Sequence, residues 1–209
     1  MDNTPDPHRI TDVAALERIY GPPSGAAVAK ELDYIHPHYR LLISKSPFVV
    51  LATGGPDGLD TSPRGDAPGF VIVEDDKTLL LPDRKGNNRI DSLRNIVADP
   101  RVALIFLIPG VGETLRVNGR AAITTAPAVL ERFRVNNSLP RSVIVVSVDT
   151  VFFQCSRALW RSKLWDPATQ VERSSLPSLG TMVEDISNSR IKATDYDRDL
   201  YPRLKSSLY

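Results

Sequence analysis

"LPDRKGNNRIDSLRNI" occupies residues 81–96. An apolar, strand-like run over residues 78–81 ends at Pro82, and Ile90, Leu93, Ile96 and Val97 then recur at helical spacing. Between them stand Asp83, Arg84, Lys85, Gly86, Asn87, Asn88 and Arg89, with three cations, a glycine and two asparagines between a strand and a helix start. Such a turn is either solvated punctuation or a seat for a phosphate, because helix-start N–H groups and nearby cations together favour an anion. Asn87 or Asn88 is the expected cap of the helix, and Ser92 adds a hydroxyl about one turn on.

Strand signals surround this stretch. Upstream, "PFVVLATGG" (residues 47–55) is β-branched and apolar, a Pro-Asp-Gly turn follows, and "LDTSPRGD" leads to "GFVIVEDD", which turns back into residues 78–83. Downstream, "RVALIFLIPG" (residues 101–110) reads as a buried strand. "TLRVNGRAAITT" (residues 114–125) reads as a strand pair, with Asn118-Gly119 as a hairpin or bulge signal. "APAVLERFRVNN" reads as a short helix with Pro127 in its first turn. Residues 143–148 and 151–155 read as two further strand stretches. About six short strands with tight links predict antiparallel pairing and a closed barrel rather than a doubly wound sheet.

The ends differ in character. Residues 1–9 are polar and proline-interrupted. Thr11 is the expected cap of a short amphipathic helix carrying Val13, Leu16, Ile19 and Tyr20, ended by Gly21. A second helical region follows, broken at Pro37 and resumed to about Ser44. The tail is polar, with Pro167, Pro177 and Pro202. The expected division is a helical extension packed on the barrel (1–45), the barrel (46–166), and a tail wrapping the barrel or a partner subunit (167–209).

Composition narrows the function classes. The 209 residues carry 26 Lys plus Arg against 25 Asp plus Glu, which argues against a protein devoted to nucleic acid or an anionic membrane. The single Cys155 excludes an intramolecular disulfide and a multi-cysteine metal site. It reads as a small buried hydrophobe rather than a nucleophile. The three histidines, His8, His36 and His38, cluster near the start, so no metal site is expected. There is no apolar run of about 18 residues and no signal-peptide pattern; a soluble, cytoplasmic protein is the expectation.

The order of these segments resembles the pyridoxamine 5′-phosphate oxidase-like family of FMN-binding proteins, in particular its branch of FMN-dependent enzymes of unassigned substrate. The resemblance rests on "SPFVVLAT", "DTSPRGDAPGFV", "LLLPDRKGNNRIDSLRNI", "DPRVALIFLIPG", "ETLRVNGRAAI" and "FFQCSRALWRSKLWDP". It implies a mainly β (α+β) fold, a six-stranded antiparallel Greek-key split barrel with flanking helices. It also implies a homodimer with one FMN per subunit at the interface, and a small-molecule substrate.

Carried over residue by residue, the resemblance places Leu81 and Pro82 against the flavin. It places Asn88 and Arg89 where the family has an Arg-Lys pair that grips the phosphate. One cation is an amide here, for which Arg84 or Lys85 is the expected compensation. Arg64, Gly65 and Asp66 fall where the family touches the cofactor; reduction of the ring puts negative charge where a cation stabilises it, and glycine lets a ring approach the backbone. Thr114 falls near a polar cofactor contact, and Arg116 shares its strand face. Trp160, Arg161 and Trp165 interleave aromatic and cationic character near the barrel's end, as stacking beside a flavin or substrate requires. The family's Arg-Leu-His-Asp substrate motif reads Lys163-Leu164-Trp165-Asp166, a departure that points away from pyridoxamine phosphate as substrate. The expected function is thus an FMN-dependent oxidoreductase with no dedicated catalytic side chain. A flavin- or haem-binding carrier or sensor and a deazaflavin-dependent reductase are the alternatives. A deazaflavin, with its longer acidic tail, would want a wider basic groove.

Overall fold

The computed structural model of the chain describes Asp6 and residues 8–209; most of the polar start lies outside the described residues. Helix α1 (Val13–Tyr20) is capped one residue later than expected, by Asp12, whose carboxylate accepts from Ala15 N–H at 2.8 Å. Ser24 caps α2 (Gly25–Ala29) in the same way. These two helices belong to one compact unit that ends at Glu31, and the chain from Leu32 onward forms the other.

In the larger unit, α3 (Pro37–Lys45) starts on a proline and buries Tyr39 and Ile43. The strands follow: β1 (Phe48–Gly55), β2 (Gly58–Gly65), β3 (Ile72–Val73) and β4 (Thr78–Asp83). After α4 (Asp91–Ala98) come β5 (Arg101–Leu107), β6 (Thr114–Thr124), the short α5 (Pro127–Glu131) and β7 (Ser142–Gln154). All pairings are antiparallel, in the order β2-β1-β5-β6-β7-β4-β3. The family's expected closed six-stranded barrel is corrected twice. The sheet has seven strands, because residues 72–73 make a two-residue pairing with Leu79 and Leu80. Its hydrogen bonding is open, with β2 and β3 as edges.

Alternation explains the core. Val49, Leu51 and Thr53 of β1, Val102, Leu104 and Phe106 of β5, and Leu115 and Val117 of β6 point inward at a spacing of two. On β7 the inward set changes phase, from Ile144, Val146 and Val148 to Val151. The cause is a bulge. Asn118 faces Thr150 and Gly119 faces Val148, so Asp149 is the extra residue. The expected strand pair at residues 114–125 is therefore one strand. The two expected stretches after Arg141 are likewise one strand, continuous through the bulge. A Cβ at Gly119 would run into the Ser147 carbonyl, which is why glycine stands there. Helix α4 lays Ile96, with Leu93 beside it, onto this core, and packs against β1, β2 and β6.

The tail is more regular than its composition implied. After α6 (Arg157–Ser162), which ends the preceding segment, it carries two 3₁₀ turns, α7 (Leu179–Ile186) and α8 (Ala193–Ser206), which admits Pro202. Asp197 ties α7 to α8 by accepting from Gly180 N–H at 2.8 Å and from the Ser178 hydroxyl at 2.5 Å. Cys155 is exposed, not buried as expected, because it follows the last residue of β7.

Candidate functional site

Because β2 ends one edge of the sheet and is not paired with β4, a cleft of about 640 Å³ opens between them. Residues 60–65 form one wall, and residues 82–93 with Arg141, Ser142 and Phe70 form the rest. Of the residues expected from sequence, Arg64, Gly65, Pro82, Arg84, Lys85, Asn88, Arg89 and Ser92 line this cleft together.

Two ion pairs cross the gap between the strands. Arg64 Nη1 donates to Asp83 Oδ1, with each side chain about five-sixths buried (16% and 15% exposed). This contact leaves the Nε and Nη2 donors of Arg64 without a hydrogen-bond partner among the described residues, and Nε is buried. A buried guanidinium N–H without an acceptor is costly. Beside it, Arg84 is already committed. Its Nε donates to Asp66 at 2.9 Å, its Nη1 to the Phe133 carbonyl at 2.7 Å, and its guanidinium lies 5.4 Å from the ring centroid of Tyr209. The Tyr209 hydroxyl donates to Asp66 at 2.8 Å. Burial pushes the Asp66 carboxyl up, but the Tyr209 hydroxyl, the Ala67 N–H and Arg84 outweigh it and hold it below the ordinary aspartate value. The same contact with Asp66 raises the Tyr209 hydroxyl.

The start of α4 differs from expectation. Ile90, not an asparagine, holds the N-cap position; it adopts a left-handed φ of 54° and makes no side-chain cap bond. Asn87 instead accepts from Arg89 N–H at 3.1 Å, and Asn88 is itself left-handed at φ 62°. A β-branched residue in that region is an outlier, and such strain gathers where backbone is held for function. The first-turn N–H groups of α4 thus lack the side-chain acceptor that a Ser, Asp or Asn cap supplies. The Ser92 hydroxyl, expected for the phosphate, is buried and donates to Asp60 at 2.5 Å. Arg89 is largely exposed and donates to Asp91 at 2.7 Å, which raises its pKa. Arg141, from the chain just before β7, donates from Nη1 to Asn88 Oδ1 at 2.8 Å. Lys85 makes no hydrogen bond or ion pair among the described residues. Five cations (Arg64, Arg84, Lys85, Arg89, Arg141) face three carboxylates (Asp60, Asp83, Asp91) on the cleft walls, a formal surplus of two positive charges.

The remaining expected residues lie elsewhere. Asp66 stands just behind the cleft on Arg84, and Leu81 is 1% exposed and points into the core. Thr114 is buried at the start of β6, and Arg116 lies 5.1 Å from the Phe152 ring centroid. Trp160 and Trp165 line a second hollow of about 420 Å³ with Gly110, Gly112, Lys163 and Asp166; Trp165 Nε1 donates to the Val111 carbonyl at 2.8 Å, and Arg161 is exposed beside them. Sequence reasoning missed Asp60, Asp83 and Arg141. The two aspartates stand within the stretches it singled out, but no local pattern marks an arginine 53 residues from Asn88. Among the described residues no group of three or more His, Cys, Asp or Glu side chains is placed to hold a metal. No described helix is long and apolar enough to cross a membrane.

Fold and cleft together define an α+β protein with a cation-rich cleft at the open edge of an antiparallel sheet. A family model described as pyridoxamine 5′-phosphate oxidase matches residues 35–155, more than half of the chain, and the chain belongs to that family. Among solved structures, HupZ of Group A Streptococcus is similar at 22% identity, with 58% of this chain and 95% of that one covered and a TM-score of 0.48. General Stress Protein 26 of Bacillus anthracis is similar at 18% identity, over 54% of this chain and 88% of that one, with a TM-score of 0.41. An F420 reductase is similar at 21% identity, over 57% of this chain and 98% of that one, with a TM-score of 0.41. No curated protein matches the chain significantly in sequence.

Proposed function

We propose that the chain binds FMN in the β2–β4 cleft and acts as an FMN-dependent oxidoreductase on a small molecule. The observation that carries this reading is Arg64, whose buried Nε lacks an acceptor in a cleft with a surplus of two positive charges. An FMN phosphate carries about −1.5 to −2 charges at neutral pH and offers several acceptor oxygens, so it matches that surplus and supplies the missing acceptor. A cofactor with a longer acidic tail asks for more positive charge than the walls provide, which favours FMN over a deazaflavin.

In this reading the Nε–Nη2 edge of Arg64, the Lys85 ammonium and the first-turn N–H groups of α4 take the phosphate. Arg89 adds charge at the rim. Gly65 and Pro82 offer close, flat approaches for the ring on opposite walls. Bound FMN supplies transfer of an electron pair to or from the substrate, and no side chain of the cleft is required to move a proton. The second hollow, with Trp160, Lys163 and Trp165, suits a planar substrate. It presents lysine and tryptophan where the family's vitamin substrate is met by arginine and histidine, so pyridoxamine phosphate is not the proposed substrate. Thr114 and Arg116, outside the cleft of their own chain, are assigned to the FMN of a partner subunit in a homodimer, and the cytoplasm is the proposed location.

The test is the visible spectrum of the purified protein followed by a flavin-fluorescence titration with FMN. Oxidised-flavin bands, or saturable one-to-one binding of added FMN, are expected. A colourless protein that ignores added FMN refutes the reading.

A further inference from the structure

The three cleft arginines nearest the strands and helix α4 are neutralised within the chain: Arg64 by Asp83, Arg84 by Asp66 and Arg89 by Asp91. The cleft cations outside these ion pairs are therefore Lys85 and Arg141, and the one wall carboxylate outside them is Asp60, which accepts from Ser92. Of the two cations, Lys85 is exposed and makes no contact that fixes it. Arg141 is fixed twice. Its backbone N–H donates to the Asp83 carbonyl at 3.2 Å, and its Nη1 donates to Asn88 Oδ1 at 2.8 Å. Asn88 is neutral, so it orients the guanidinium without cancelling its charge, and leaves its Nε–Nη2 edge free to form paired bonds to an oxyanion. The amide nitrogen of Asn88 makes no hydrogen bond among the described residues and is a further donor at the same place.

We infer that Asn88 and Arg141 form an oriented anion clamp that sets the preference of the cleft for a phosphorylated flavin over its unphosphorylated form. The inference rests on the FMN reading above and sharpens it. It assigns the clamp to a residue pair that joins the α4 turn to the approach to β7, and it makes Arg84 a structural anchor rather than a ligand. Arg141 is the contact residue. Asn88 acts chiefly by positioning it.

FMN and riboflavin are titrated separately, by flavin fluorescence, against the wild type, Arg141→Ala and Asn88→Asp. Both variants are expected to fold, since Arg141 is exposed and aspartate tolerates the left-handed backbone at Asn88. Arg141→Ala removes the charge, and Asn88→Asp keeps Arg141 in place but neutralises it. Each should weaken FMN on the order of 10- to 100-fold, shrink the salt dependence of binding, and leave riboflavin within about twofold because the ring contacts are untouched. A purely structural role would lower both ligands together. Wild type that prefers FMN, with both variants retaining that preference within about threefold, overturns the clamp and leaves the FMN reading standing. Wild type that binds FMN no better than riboflavin overturns both.

Discussion

Asp83→Asn separates the two roles of the cleft's central ion pair. Asp83 and Arg64 are each about five-sixths buried, and their contact is the direct bridge from β2 to β4. Asparagine keeps an oxygen to accept from Arg64 Nη1, so the guanidinium stays oriented, but the carboxylate charge is gone. Two opposite effects follow. Losing one ion of a buried pair costs up to about 3–5 kcal/mol when the partner is left bare. Here the amide remains as partner and the pair is slightly exposed, so about 1–2 kcal/mol is expected, a fall in Tm of roughly 2–8 °C for a chain of this size. Binding moves the other way. A phosphate on the far edge of the guanidinium would lie ~7 Å from Asp83, where each unit of its negative charge is repelled by about 2 kcal/mol at an effective dielectric of about 20. FMN should therefore bind at least about 30-fold more tightly to the variant. Calorimetric unfolding without ligand and fluorescence titration with FMN measure the two effects independently. Weaker FMN binding by the less stable variant would show that Asp83 is needed as an anion, and would refute the assignment of the free edge of Arg64 to phosphate.

Other perturbations test the supports of the site. Tyr209→Phe deletes the hydroxyl that helps hold the Asp66 carboxyl below its ordinary value of 3.8. The stability supplied by this depressed pKa is present above the unfolded value and is lost as pH falls through the folded one, so the variant should unfold at a higher pH in an acid titration. Its neutral-pH loss should be small, about 0.5 kcal/mol, since Tyr209 is partly exposed; an unchanged acid midpoint would count against the contact. Ile90→Asn should stabilise by about 1 kcal/mol in urea, because asparagine tolerates a φ of 54° and can cap α4. Gly119→Ala, which drives a Cβ into the Ser147 carbonyl at the bulge, should cost about 1–3 kcal/mol in the same assay.

What could be read from sequence followed from local rules. Residues 78–83 were bounded correctly as a strand because an apolar run met a proline and a charged turn. The turn after it is legible as a break between strand and helix, because glycine, asparagines and charged residues cluster there. The errors came from interactions between distant residues. Asn88 looked like a helix cap, yet its side chain is taken by Arg141 from another part of the chain. Ser92 looked like a phosphate hydroxyl, yet Asp60 of the edge strand holds it. Arg84 looked free, yet Asp66, Phe133 and Tyr209 occupy it. In each case the residue type was read correctly and its partner was not, because a partner is fixed by the strand order, which no short window contains. The bulge shows the same limit. Asn118-Gly119 signalled a break in the ladder, but only the register identifies Asp149 as the extra residue that keeps β7 continuous.

The open edge links stability to binding. The edge strand β2 is not hydrogen-bonded to β4, and the cleft lies between them. Here the two strands stand apart and are bridged by Arg64–Asp83 and Asp66–Arg84, side-chain contacts that leave a buried donor unpartnered. In the proposed reading, an acceptor that reaches Arg64 from the cleft removes that penalty. By linkage, a ligand held only by the folded state at about 100 times its Kd adds about 2.7 kcal/mol to stability. Riboflavin, which lacks the phosphate proposed to bridge the walls, should raise Tm less than FMN at equal free concentration. Equal shifts would mean that the ring, not the phosphate, spans the gap.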